Sequence, residues 1–549
     1  MARLGQLIWQ RTLTAPASRV LFAPETLLES DSAKAADVYA GVFTLAGITV
    51  DAAGQSPFSL PPPSKAFARE LHGFSWLVHL EANPTALSAS NARALIDEWL
   101  GSKSANGRDA TAPDVTAERM MAFLVQSPLL LGGADDLFRQ RYFRTLTRHM
   151  RRVERYLVRM PPSLVRAEAA AALAIAGTVV ADQTGVQRWA LAVLGGSLAE
   201  QVLPDGGHVS RSPEALLRLL AALLPLREAL VRRQQPVPPA LSGAIDRMHP
   251  MVRFFTHSDG GLCGFHSTSP QPSRLLDAIA LYDEVEGSPS GQARYTGFQR
   301  LEAGSAVALF DTGGAPPPAF GTLACASALA FEFSHGSQRI VGSCGPLGLA
   351  QPSWARAARA TAAHSTLALK DRSSARVLAF WPLRRLIGPV LYRAPQAVVA
   401  REDISVEASH DGFLAEFGVI HHRRLTLGED GLYLGGEDWL TGTDRLTAAP
   451  FAVRFHVGIG IRVRLDKKKR RAMLLLPDGA IWLFGVEEGP QLRLEESVML
   501  APERRLRRTA QLVIAGNTLT DPTIRWHIAR HGDPLAEPLN EPPNERIGA

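Results

Sequence analysis

The stretch FRQRYFRTLTRHMRRVERYLVR, residues 138–159, sets the class of the first half of this chain. Tyr142, Leu146, Met150, Val153 and Leu157 recur at three- and four-residue steps. That is the period of an α-helix with one apolar stripe. Arg141, Arg144, Arg148, Arg152, Arg155 and Arg159 recur in the same way on another face. The arginine face reads either as a solvated surface or as an anion-binding wall.

Outward from this helix, residues 66–80, 90–101, 116–129, 163–180, 186–203, 212–232 and 239–256 are rich in Ala, Leu and Arg and also read as helices. Pro161-Pro162 and the proline-rich stretch near Pro236 are among the short breaks between them. Helices of similar length on short links form hairpins packed side by side. A bundle, a solenoid and an α/α toroid all satisfy that pattern. The character changes over residues 258–300. Short alternating runs follow, among them Ala306–Phe310, Ala328–Phe333, Thr366–Leu369, Arg423–Leu427, Val453–Val457, Ala480–Phe484 and Gln511–Ala515. Many short strands with turn residues between them predict an all-β sandwich or stacked antiparallel sheets. The basic run Lys467–Arg471 falls between two such runs and reads as a charged hairpin tip.

The totals agree with several domains. At 549 residues the chain exceeds one hydrophobic core. The expected division is an N-terminal extension over 1–65, a helical domain over 66–258, a sheet domain over 259–530 and a flexible Pro-, Glu- and Asn-rich tail over 531–549. Hydrophobic residues make up 46% and charged residues 20%, ordinary for a globular protein. The net charge of +6, carried mostly by arginine, suits an acidic partner. The basic residues are not interleaved with aromatics on strands, so nucleic acid is not an expected partner. Three cysteines, Cys263, Cys325 and Cys344, do not make a disulfide framework. Gln10, Arg11 and Thr12 interrupt the apolar N-terminal residues, and no apolar run is long enough for a membrane helix. On that reading the chain stays in the cytoplasm, and its oligomeric state is open.

Chemistry concentrates in three clusters. In Leu203-Pro204-Asp205-Gly206-Gly207-His208-Val209-Ser210-Arg211-Ser212-Pro213, paired glycines let the backbone turn sharply and approach a ligand. Ser212-Pro213 then starts the next helix, which leaves His208 and Arg211 on a loop. In Ala363-His364-Ser365-Thr366-Leu367, a histidine just before a strand serves as metal ligand, base or strand-end donor. In Val419-Ile420-His421-His422-Arg423-Arg424-Leu425, strand alternation turns only one of the two histidines inward. Such a cationic cluster suits carboxylate recognition or a solvated face. HExxH, P-loop, nucleophile-elbow and zinc-finger spacings do not occur.

Taken in order, these segments resemble the heparinase II/III-like polysaccharide lyases. Asp205-Gly206-Gly207-His208 with Ser212-Pro213 resembles the family's active-site loop, and Phe74-Ser75-Trp76-Leu77 an early toroid helix. Ala328–Phe333 and Ile340–Gly345 resemble its first sheet signature, and Ala363–Leu367 its His-Asn-Thr segment. The resemblance implies a multi-domain α+β protein: an N-terminal α/α toroid, then a C-terminal antiparallel β-sandwich of stacked sheets. It also implies β-elimination on an acidic, uronate-containing polysaccharide, and a place in the cell envelope. A base takes the C5 proton, an acid protonates the leaving oxygen, and donors neutralise the carboxylate. His208 falls where the family neutralises the carboxylate, with Arg211, Trp76, His422 and Arg423 as substrate-binding candidates.

The toroid tyrosine has no counterpart in residues 213–220, so His257 or His364 is left to exchange protons. The family's structural zinc uses two histidines and an aspartate. His364 fits the last histidine, while Cys325 and Ser343 stand in the other two places. The resemblance therefore implies either a zinc site on Cys325 and His364, with Cys344 as a further ligand, or a metal-free, hydrogen-bonded version. The alternative to an enzyme is a glycan-binding or envelope protein that has kept the scaffold without the catalysis.

Overall fold

A computed structural model describes residues 13–532, apart from 83, 271–272, 285–286, 350, 378–390, 393–396 and 445. The tail read as flexible therefore lies outside the described residues from Asp533 onward. The chain divides into two compact units. The first comprises 1–210, 214–251 and 271–288; the second comprises 211–213, 252–270 and 289–549.

The first unit is helical. Its helices are α1 (Ser32–Tyr39), α2 (Lys65–Gly73), α3 (Ala86–Gly101), α4 (Pro113–Val125), α5 (Ser127–Leu131) and α6 (Asp136–Arg159). They continue with α7 (Leu164–Val179), α8 (Thr184–Gln201), α9 (Pro213–Arg232), α10 (Pro239–Phe255) and α11 (Ser273–Ala280). α6 shows why the pattern is legible. Asp135 caps it by accepting the Phe138 N–H, and Tyr142, Leu146, Met150, Val153 and Leu157 are all buried. α7 is alanine-rich and buried almost throughout. A Cβ on its Gly177 would stand 2.7 Å from the Gln187 backbone of α8, so glycine is what lets these two helices approach. The residues before α2 are not featureless: α1 and a two-stranded hairpin, Val42–Leu45 with Ile48–Asp51, precede it. No helix among the described residues is long and apolar enough to cross a membrane.

The second unit is built on two antiparallel sheets. One runs, edge to edge, through Ala397–Arg401, Ser405–His410, Val419–Leu427, Tyr433–Gly442, Thr523–Arg530, Ile481–Glu488, Arg471–Leu475 and Arg462–Leu465. The other runs through Leu492–Leu500, Leu506–Asn517, Pro450–Val457, Gln338–Gly342, Phe331–His335, Ala306–Asp311, Phe298–Ala303 and Gln292–Ala293. Leu367–Leu369 pairs with Pro450–Val457 beside that order. The sheets pack face to face through aromatic side chains. Trp526 of the first sheet stacks on Phe331 of the second at 5.2 Å, and its ring meets Phe455 at 4.8 Å. Lys467–Arg471 connects paired strands, as a hairpin tip does. The helical region followed by stacked antiparallel sheets is the architecture expected from the sequence.

Candidate functional site

The Gly-Gly loop follows α8 directly. Leu203 N–H donates to Gly207 O at 2.9 Å, Gly207 N–H donates to Asp205 Oδ1 at 3.1 Å, and Val209 N–H donates to Gln201 O at 2.8 Å. Gly206 sits at φ +87°, and a Cβ there would fall 1.8 Å from Arg247 O of α10. Only glycine meets both conditions.

This closure turns His208 into the unit, where it is 2% exposed. Nδ1 accepts the Ser210 N–H at 3.1 Å and lies 2.7 Å from the Ser210 hydroxyl. Nε2 lies 3.1 Å from Gln201 Oε1, to which it donates in the tautomer that Nδ1 requires. Burial, assisted by Arg218, pulls the imidazole down to about 3. It is therefore neutral at physiological pH, and its N–H is engaged by Gln201.

The charge that acts on His208 is that of Arg218. Glu168 holds Arg218 through two bonds of 2.9 and 2.8 Å, and Glu214 and Asp114 also act on Arg218. Glu118 lies against Gly73. Desolvation, with smaller contributions from Glu70 and Asp114, raises its carboxyl to about 7. Sequence reading missed these carboxylates, because acidic residues spaced along separate helices carry no motif. Trp76, a candidate sugar platform, is 4% exposed; its Nε1–H donates to Leu71 O at 3.0 Å and its ring packs on Phe74 and Phe43.

In the sheet unit Arg211, at φ +63°, is buried against Asp311 in an ion pair. Its Nε donates to Thr296 O at 2.7 Å, Nη1 to Gly314 O at 2.6 Å and Nη2 to Gly297 O at 3.0 Å. Arg211 and His266 hold the Asp311 carboxyl well below the usual range despite its burial. The Ser327 hydroxyl donates to it at 2.6 Å. The guanidinium is thus committed to protein groups rather than to a sugar acid.

His257 is 3% exposed, with Nδ1 2.8 Å from Ser334 Oγ and Nε2 3.4 Å from Glu332; burial, with Arg339 nearby, pulls it down to about 4. His364 is 1% exposed and is pulled down to about 3 by burial, then by His266 and His456. Among the described residues, neither ring nitrogen of His364 has a hydrogen-bond partner.

The expected zinc site is a correction. No group of three His, Cys, Asp or Glu among the described residues is placed to hold a metal ion. Cys325 is buried with its thiol pushed up, its Sγ near Ser267 Oγ (3.6 Å) and Leu323 O (3.7 Å). Cys344 is turned to His456, 3.5 Å from Nδ1. Zinc takes thiolates, and burial of both sulfurs opposes that form.

Strand Val419–Leu427 alternates as expected, with His421 and Arg423 inward and His422 and Arg424 outward. Arg423 is fully buried, with Nε 2.8 Å from Asp438 Oδ1 and Nη1 donating to Leu329 O (2.7 Å) and Ser365 O (2.8 Å). His421 Nε2 lies 2.7 Å from Asp438 Oδ1, and Trp526 Nε1–H donates to Asp438 Oδ2 at 2.9 Å. Arg423 is therefore the centre of a buried polar network. His422 is half-buried, stacked on Trp439 at 5.0 Å with Nε2 2.8 Å from Thr441 Oγ1. Of the candidate residues, His208 and Trp76 belong to the helical unit and the others to the sheet unit.

Residues 286–527 match the model of the heparinase II/III-like C-terminal region. The chain belongs to the heparinase II/III-like family. It is 30% identical to FtsZ-localized protein C of Caulobacter vibrioides over 529 residues, covering 91% of this chain and 88% of that one. Among solved structures it is similar to heparinase III, with a TM-score of 0.72 at 12% identity over 96% of this chain and 89% of that one. It is also similar to a heparan sulfate lyase of Pedobacter heparinus, with a TM-score of 0.57 at 14% identity over 91% and 82%.

Proposed function

We propose that this chain is a lyase-fold protein that acts by binding rather than by β-elimination, and that it works where FtsZ is, as the name of its Caulobacter relative says of that protein. The observation that carries this reading is the packing of His208. A donor that neutralises a developing carboxylate charge must present an N–H or a positive charge to the substrate. This imidazole is neutral, closed off, and engaged on both nitrogens by Gln201 and Ser210.

Three further observations point the same way. Arg211 is occupied by Asp311 and three carbonyls. His257 and His364 are buried and neutral at physiological pH. Arg218, the charge that acts on His208, is itself tied to Glu168 by two bonds, so it too is engaged within the protein.

The test has two halves. A fluorescent fusion of the chain should co-localise with FtsZ in its own cells. Purified protein should give no rise in ultraviolet absorbance, the mark of unsaturated uronate, on any of a panel of uronic-acid polysaccharides. A diffuse fusion, or a rise on any substrate, defeats the proposal.

The second reading is a polysaccharide lyase with His208 neutralising the carboxylate and His257 or His364 exchanging protons. The similarity to heparinase III over 96% of the chain favours it. It requires the His208 loop to open when substrate binds, and the same absorbance assay decides between the two.

A further inference from the structure

The arginine stripe of α6 divides once the side chains are placed. Arg141 is tied to Asp97 by bonds of 3.0 and 2.8 Å. Arg144 and Arg148 are exposed and make no hydrogen bond or ion pair among the described residues. With Arg139, Arg151 and Arg155 they line a groove of about 910 Å³. Of the other three, Arg139 donates to Ala134 O and Leu131 O, Arg151 to Thr14 O and Arg155 to Arg151 O, each keeping its positive charge at the groove, where Asp136 is the one lining carboxylate.

The opposite wall is the segment Pro16–Ser18, and it is firmly built. Glu154 accepts the Leu13 N–H at 2.5 Å and the Thr14 hydroxyl at 2.7 Å. Thr147 Oγ1 accepts the Ala17 N–H at 2.8 Å, and Gln183 Nε2 donates to Ala15 O at 3.0 Å. Exposed leucines stand near the two ends: Leu137 on the first turn of α6, and Leu13 beside Glu154.

We propose that this groove binds an extended acidic polypeptide segment in which apolar residues alternate with carboxylates. Arg139 to Arg155 spans about 24 Å of helix, and steps of four residues repeat every ~6 Å. An extended strand brings the carboxylates of every second residue to one edge at ~6.6 Å, close to that step. Arginine forks take carboxylates two bonds at a time, and the end leucines match the apolar residues between the acids. The alternatives fit less well. A flat membrane does not reach the floor of a groove, and one lining aromatic, Phe143, offers little stacking for single-stranded nucleic acid. The proposal rests on the groove alone and does not depend on where the protein acts.

The test is fluorescence anisotropy of the full chain with a fluorescein-labelled peptide alternating glutamate and leucine, against a lysine–leucine control. The expected result is saturable, salt-sensitive binding of the acidic peptide only. Reversal of two rim charges in R144E/R148E should weaken it by about thirtyfold with unchanged melting. If that pair melts early, R144Q/R148Q is read in its place and should weaken binding in the same direction. The proposal is overturned by no saturable binding, by binding indifferent to both pairs, or by preferential competition from phosphatidylglycerol vesicles, heparin fragments or oligothymidylate.

Discussion

Replacing His208 by alanine separates a packed imidazole from a catalytic one. The substitution removes the contacts to Ser210 Oγ and Ser210 N–H and the bond to Gln201 Oε1, all inside a closed turn. Two hydrogen bonds contribute about 1 kcal/mol each, and a buried amide oxygen left unpaired costs about 1–3 kcal/mol. The expected loss is about 3 kcal/mol. In a unit of this size each kcal/mol shifts the midpoint by about 2–4 °C, so the helical transition should fall by about 6–12 °C. Thermal melting followed by the helical circular-dichroism signal measures it. An unmoved transition, with lyase activity present in the parent and lost in the variant, refutes the reasoning and restores His208 as a catalytic residue.

Two further outcomes follow from the same packing. His208 and His364 are held at about 3, and His257 and His456 at about 4, against 6.5 when unfolded. The unfolded chain therefore binds more protons below about pH 6.5, so stability is present above that pH and is lost on acidification toward about pH 4. By about pH 5 each histidine costs about 2 kcal/mol, while Glu118, raised to about 7, acts in the opposite sense. Thermal midpoints across that range should fall steeply, and a flat or rising profile would contradict the buried neutral state. Arg211→Met leaves Asp311 buried without its cation and should cost the sheet unit about 3–5 kcal/mol. Hydrogen exchange at Ala306–Asp311 should report it, and Arg211→Met with Asp311→Leu should recover much of the loss. Equal damage from the single and double variants would mean the ion pair is not what Arg211 supplies.

Periodicity alone determined the two halves of this protein. The 3.6-residue spacing of Tyr142, Leu146, Met150, Val153 and Leu157 names a helix face wherever the helix goes. The alternation in 419–427 allows only one of His421 and His422 to face inward, and the structure shows that it is His421, on the same face as Arg423. The glycine at 206 was legible too, because paired glycines before a helix mark a tight turn. Leu492–Leu500 escaped because four consecutive exposed residues break its alternation, and Thr523–Arg530 because half of its residues are polar.

What each polar side chain does was decided only by tertiary structure. A histidine is acid, ligand or packed hydrogen-bonder according to what surrounds it, and those neighbours come from distant sequence. Asp311 lies 100 residues from Arg211, and Ser334 lies 77 from His257. The zinc ligand set depended on the same kind of distance: Cys325 and Cys344 are close in sequence, yet their sulfurs turn to Ser267 and His456. Along α6 the sequence supplied the arginines. The Pro16–Ser18 wall, brought in from more than a hundred residues away, made some of them a groove.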